Sequence, residues 1–236
     1  MSEMTKMTGT FQKLEPICLN GVETYLFDLD NTLYHESTGL MEAMMVKMRE
    51  FVAQFYGVSM EEADKICVKY WKTYGTTLCG LMTLEKIQPE EFLDFVHDID
   101  LSIIKPCTET LEGLKKLEGR KFIFTNADKP HAERVLERMG IANQFEGIYD
   151  VIWSEYKPKP DRTTYERLMK HLGADAQKTV MLEDTQMNLK TAHDMGMKTV
   201  LIHGDTALDM HHDHVHQTAA CMPSWLSSVT KVTQAA

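Results

Sequence analysis

Four short apolar runs, separated by helical patterns, most constrain what this chain can fold into. They are residues 24–27, 121–125, 179–182 and 198–203. Each is short, rich in Val, Ile, Leu and Phe, and continuous rather than alternating. Such runs, interleaved with helices, predict a parallel sheet covered on both faces. Residues 148–153 and 214–218 are weaker strand candidates. The helices between them carry recognisable ends. Pro130 can open a helix running to Met139, with Gly140 as its stop. Asp161 can cap one ending at Leu172 before Gly173, and Thr185 one ending at Met195 before Gly196. Pro223 opens a last helix over 224–229. The expected class is α/β with a Rossmann-like parallel-sheet core.

One interval breaks the rhythm. Asp28 and Thr125, at the ends of the first two confident strands, lie 97 residues apart. An ordinary crossover unit takes about 30 residues, so on the order of 60–70 are inserted. Leu40, Met44, Met48, Phe51 and Phe55 recur on one helical face. Gly57 ends that helix, and Ser59 with Glu62 forms a capping box for the next, through Tyr74. Pro89 starts another with Phe92, Phe95 and Val96 inward. The insertion therefore reads as a helical bundle over 36–105, leaving 1–35 and 106–236 for the α/β domain. The methionine-rich stripe reads as bundle core rather than as an adaptable binding surface.

Charge and apolar patterning exclude several classes. Twenty-five Lys and Arg against 35 Asp and Glu give a net charge of −10. That balance disfavours non-specific binding to nucleic acid and to anionic membranes, both of which need basic surfaces. No apolar run exceeds four residues, far short of the roughly 20 a membrane helix needs. The first fifteen residues lack the apolar stretch of a signal peptide. Five widely spaced cysteines (18, 67, 79, 107 and 221) without a C-x-x-C pair read as reduced thiols. The expected location is the cytoplasm.

Four clusters follow strands, at the sheet edge where ligands of such folds bind. The first is Asp28-Leu29-Asp30-Asn31-Thr32. Two acids two residues apart can reach one substrate atom, and burying both favours a cation between them. The second is Thr125-Asn126, whose hydroxyl and amide can hold phosphate oxygens. The third is Lys157-Pro158-Lys159-Pro160, a stiff segment that can deliver a fixed positive charge. The fourth is Glu183-Asp184-Thr185 with Asn188 one turn on, oxygen ligands of the kind Mg²⁺ prefers. Taken singly, each has an ordinary alternative: a capping acid, a turn, a solvated basic loop. His211, His212, His214 and His216 could bind zinc, though a solvated loop is the simpler reading.

In that order, the four clusters resemble the motifs of the haloacid dehalogenase-like (HAD) phosphatase superfamily, over nearly the whole chain from Val22. The segments 28–34, 74–78, 95–100 and 124–135 resemble its pyrimidine 5′-nucleotidase branch, which often has Gly where Ala127 stands. The resemblance implies the HAD fold, with the inserted bundle as a cap over the site. It implies a Mg²⁺-dependent phosphatase acting through an aspartyl-phosphate on small phosphomonoesters, nucleotides such as UMP or CMP foremost. Asp28 would be the nucleophile and Asp30 the acid and base. Thr125, Asn126 and Lys159 would hold phosphate oxygens, with Lys159 favoured over Lys157 because it precedes Pro160 by one and Tyr165 by six. Asp28, Asp30 through its carbonyl, Asp184 and Glu183 would bind the metal. Tyr74, Thr76, Thr77 and His97 are candidate contacts to base or ribose, and His35 is a further candidate. Alternatives are a sugar-phosphate phosphatase, a C–halogen or C–P hydrolase, or a non-catalytic binding protein. Asp30 argues against dehalogenation, and the four intact motifs argue against a scaffold.

Overall fold

The computed structural model describes residues 17–205 and 212–233, with side chains through 229. Six parallel strands form one sheet: β1 (Thr24–Phe27), β2 (Arg120–Phe124), β3 (Gly147–Tyr149), β4 (Thr179–Glu183), β5 (Lys198–Ile202) and β6 (Gln217–Ala219). Their spatial order is β3-β2-β1-β4-β5-β6. The chain winds outward from β1 through β2 to β3, then returns to β4 on the other side. That reversal leaves a crevice beyond the carboxyl end of β1, where open α/β sheets bind ligands.

Strand pleating sorts the core into two layers. Tyr25, Phe27, Ile123, Val180 and Leu182 face one side. There they meet α5 (Thr108–Lys116), α6 (Lys129–Met139) and α9 (Met222–Thr233). Leu26, Phe122, Phe124 and Met181 face the other, under α7 (Arg162–Leu172) and α8 (Gln186–Asp194). Burial on both faces explains why the strand runs are continuous rather than alternating.

Between β1 and β2 lie α1 (Leu40–Tyr56), α2 (Met60–Tyr74), α3 (Thr77–Glu85) and α4 (Pro89–His97). They bury a third cluster, with Met44, Val52, Ala63, Tyr70, Leu81, Phe92 and Val96 at its centre. The Ser59–Glu62 capping box is present at the start of α2. Leu40 and Ile104, near the two ends of the insertion, pack into the sheet's own cluster.

Several local expectations differ from the structure. Helices α3 and α5 carry no clear sequence signal. In α3 the run Thr77–Leu81 is wholly buried, so no polar face marks it. α5 is nine residues long and includes Gly113, which lets α9 approach through Leu226. The third strand is only three residues, because Asp150 turns the chain by accepting hydrogen bonds from the Lys129 and Trp153 amides. The sixth begins at Gln217 rather than His214, since Thr199 engages the His214 carbonyl and the His216 amide ahead of it. α6 begins at Lys129, capped by Asp128, and α9 at Met222. Phe55 is 44% exposed, stacked on Phe51 at the solvent end of α1, and Phe95 is half-buried.

All five cysteines are free thiols. No helix among the described residues is long and apolar enough to cross a membrane. His211 lies outside the described residues. His216 Nδ1 meets the Thr199 hydroxyl at 2.8 Å, and His212 and His214 pair ring to ring.

The α2–α3 contact gives a stability prediction. A Cβ at Gly80 would overlap the Tyr70 ring, which is packed in the bundle core. Gly80→Ala should therefore destabilise the protein by about 1–3 kcal/mol despite alanine's better helix propensity. Denaturant unfolding checks this; an unchanged or raised midpoint would show that the bundle absorbs the methyl.

Candidate active site at the carboxyl edge of the sheet

The site is assembled where β1, β2 and β4 end side by side. The Asp28 amide still bonds to the Leu182 carbonyl (2.9 Å), so its position is set by the sheet ladder. The chain then turns. Leu33 donates back to the Leu29 carbonyl, and Asn31 adopts a left-handed φ of 57°. The turn brings the Thr32 hydroxyl to Asp28 Oδ2 at 3.0 Å.

Lys159 occupies the centre. Its Nζ donates to Asp28 Oδ1 (2.7 Å), Glu183 Oε2 (2.7 Å) and the Phe124 carbonyl (2.8 Å). Three acceptors satisfy all three ammonium protons. Lys159 is only 2% exposed, whereas Lys157 is exposed. Asn126 holds this segment: its Oδ1 accepts from the Lys159 amide (2.8 Å) and its Nδ2 donates to the Lys159 carbonyl (3.1 Å). Both polar ends of Asn126 are thus engaged on the Lys159 backbone. Thr125 is buried, and its hydroxyl oxygen accepts from the Ala127 amide. Tyr165 packs on Phe124 and donates to the Asn188 carbonyl, tying α7 to α8 beneath the site.

Asp28, Glu183 and Asp184 bring carboxylate oxygens within 4.8 Å of one another, the one such potential metal-binding group among the described residues. Burial, then the neighbouring Glu183 charge, pushes the Asp28 carboxyl up to about 7. Burial, opposed by Lys159, leaves Glu183 raised to about 7. Burial and the Asp28 charge raise Asp184 to about 6. Burial works against the charge on Lys159, yet Asp28 and Glu183 hold it above the ordinary lysine range. One ammonium thus faces three carboxylates. The surplus negative charge and the hard oxygen donors fit a divalent cation such as Mg²⁺.

Asp30 belongs to a second set. Its Oδ1 accepts from Tyr34 Oη (2.6 Å) and meets His131 Nε2 at 3.2 Å. Burial works against its charge, but His131 and Tyr34 outweigh it and hold the carboxyl below its ordinary range. His131 stacks on His97, the last residue of α4, with ring centroids 4.4 Å apart. His97 Nδ1 lies 3.0 Å from Asp128, the N-cap of α6. An open cleft of about 630 Å³ adjoins this set, bordered by His97, Asp128, His131 and Arg134.

The five charged residues anticipated from the motifs (Asp28, Asp30, Lys159, Glu183 and Asp184) gather here, as do Thr125 and Asn126. The other candidates are committed locally. Thr76 caps α3 by accepting from the Cys79 amide, and Thr77 is buried beside Cys67. Tyr74 packs on Tyr70, and His35 caps the turn at Glu36–Thr38. Sequence reasoning gave no role to Tyr34, Asp128 or His131. A signal existed for the first: Tyr34 follows Asp30 by four residues, one tight turn on.

The acid cluster has a worked pH consequence. Carboxyls whose folded pKa lies above the unfolded value stabilise fully below the latter, and that contribution is lost as pH rises through the former. For Asp28, Glu183 and Asp184 the loss runs from about pH 4 to about pH 7. Asp184→Asn removes one such charge. In EDTA, its thermal midpoint relative to wild type should climb between pH 5 and pH 7.5. A difference that stays flat or reverses would contradict the repulsion.

Known proteins resemble this chain in sequence and in fold. "Phosphate metabolism protein 8" of Saccharomyces cerevisiae is 32% identical over 197 residues, 76% of this chain and 61% of the yeast protein. The chain thus spans under two thirds of that relative's length. "Glyceraldehyde 3-phosphate phosphatase" of Methanocaldococcus jannaschii is 28% identical over 207 residues, 81% of this chain and 90% of its own. The crystal structure of a HAD phosphatase from Thermococcus onnurineus shares the fold, with a TM-score of 0.60 at 18% identity, covering 90% and 98% of the two chains. The model of the haloacid dehalogenase-like hydrolase family matches residues 25–202. With its site built at the carboxyl ends of the strands inside that span, the chain belongs to the haloacid dehalogenase-like hydrolase family.

Proposed function

We propose that this protein is a Mg²⁺-dependent phosphatase for small phosphomonoesters, pyrimidine nucleoside 5′-monophosphates foremost. The observation that carries the reading is the division of the two loop aspartates between different environments. Asp28 lies beside the buried Lys159, whereas Asp30 lies apart with Tyr34 and His131. Phosphoryl transfer through an enzyme carboxylate needs such a pair, one to attack and one to manage protons. The phosphatase named among the curated relatives supports the same reaction class.

In this reading an Asp28 carboxylate oxygen attacks phosphorus, and the ester P–O bond breaks as Asp30 hands its proton to the leaving oxygen. Asp30 then takes a proton from water, whose oxygen attacks phosphorus and releases Asp28. The structure favours the ionised form of Asp30, the form needed for the second step. For the first, the negative phosphoryl group arriving alongside raises its proton affinity. Lys159 and Thr125 would meet phosphoryl oxygens, and Asn126 fixes Lys159 in place. Asp28, Asp184 and the Asp30 carbonyl would hold Mg²⁺, with Glu183 anchoring Lys159 and assisting from behind. When bound, the ion offsets charge on the phosphoryl oxygens.

Residues 36–105 act as the cap, closing over the crevice and excluding water. Thr76, Thr77 and His97 would then face the nucleoside only after a change of rotamer or cap position. The free thiols fit a reducing compartment such as the cytoplasm. The substrate in the name of the Methanocaldococcus jannaschii relative supports a second reading, in which the leaving group is a triose or sugar.

One substrate panel tests both levels. With Mg²⁺, p-nitrophenyl phosphate should be hydrolysed, EDTA should abolish the rate, and added Mg²⁺ should restore it. UMP and CMP should give higher kcat/KM than hexose or triose phosphates. Activity that survives exhaustive chelation would refute the metal, and faster turnover of sugar phosphates would replace the nucleotide assignment.

A further inference from the structure

We infer that His131 is a positioning residue for Asp30, fixing which carboxylate oxygen faces the leaving group. The inference rests on the reading of Asp30 as the proton-transferring acid. His131 Nε2 and Tyr34 Oη both engage the same oxygen, Oδ1. Among the described residues, no protein donor reaches Oδ2, although the Asp30 side chain keeps 16% of its surface exposed. A carboxylate pinned through one oxygen by two donors presents the other in a fixed direction. Oδ2 is therefore the oxygen that carries the proton to and from the reacting centre.

The environment of His131 argues against simple core filling. The ring is fully buried, yet Nδ1 has no hydrogen-bond partner. A structural core histidine usually satisfies both nitrogens, because an unpaired buried polar atom costs stability. Here the one satisfied ring nitrogen is the one on Asp30. An Nε2–H supplies the donor that this contact needs.

The ring is itself held from two sides. The His131 amide donates to Asp128 Oδ1 (2.9 Å), the oxygen that also meets His97. His97 lies flat against His131 with an interplanar angle of 19°. Arg134, one helical turn beyond His131, donates to the His97 carbonyl. The end of α4, in the inserted bundle, thus braces the residue that aims Asp30.

The test compares substrates by leaving group. An aryl ester such as p-nitrophenyl phosphate expels a stable anion and needs little proton donation. An alkyl ester such as UMP or glycerol phosphate expels a poor one and depends on Asp30. His131→Phe keeps the ring volume and the stack but removes the donor. It should lower the ratio of alkyl to aryl kcat by about tenfold or more, within the range of general-acid effects. KM should change little. The ratio does not depend on how much of the variant folds. His131→Gln, which restores an amide donor at similar reach, should recover most of the ratio. Tyr34→Phe, which removes the other donor to Oδ1, should lower it in the same sense. Equal losses on both substrate types, or no recovery with Gln, would overturn the positioning role while leaving a phosphatase. A wild-type protein that hydrolyses neither ester would overturn the phosphatase reading, and the inference with it.

Discussion

A lysine ammonium buried between two carboxylates is the constraint on which the rest of this structure depends. Taking Lys159, Asp28 and Glu183 out of water is costly, and the arrangement holds only because all three protons of the amine find acceptors. Those acceptors come from the ends of β1, β2 and β4. The same contacts that offset desolvation therefore lock three adjacent strand ends into one register. Removing one partner of such a buried cluster typically costs about 3–5 kcal/mol, because the remaining charges lose their compensation. Asn126 extends the lock by clamping the backbone of Lys159 at both its amide and its carbonyl.

The cluster is charge-compensated only in part. Asp184 adds a third carboxylate, and burial, with the neighbouring acids adding to it, raises the proton affinity of all three. A folded protein that concentrates negative charge in this way gives up stability for binding capacity, as functional sites often do. Asp30 escapes the crowding, since Tyr34 and His131 supply it with donors of its own. Two acids two residues apart thus differ in proton affinity because a single tight turn delivers them to different neighbours.

Much of this was legible in the sequence. Strands buried on both faces leave continuous apolar runs, so β1, β2, β4 and β5 announce themselves, and the acids stand at the ends of β1 and β4, whereas Lys159 lies ten residues beyond the short β3. The long gap before Thr125 marks the inserted bundle. What escaped notice escaped for physical reasons. Helix α3 shows no amphipathic pattern, because its first five residues are all buried. Strand β3 is cut short by a carboxylate, Asp150, that binds amides on either side of it in sequence. His131 reads in sequence as one more residue on an amphipathic helix; only the fold carries it across 101 residues to Asp30. His97 and Thr76, conversely, look like free polar groups in sequence, but the structure engages His97 with Asp128 and His131 and Thr76 with its own helix.

The account stands on Asp28 accepting a phosphoryl group. Enzyme quenched during steady turnover and reduced with borohydride would convert an aspartyl-phosphate into homoserine, which peptide mass spectrometry locates. The account predicts homoserine at position 28, and none after the same treatment of Asp28→Asn. Homoserine at another position, or unmodified Asp28 while phosphate is being released, would contradict it.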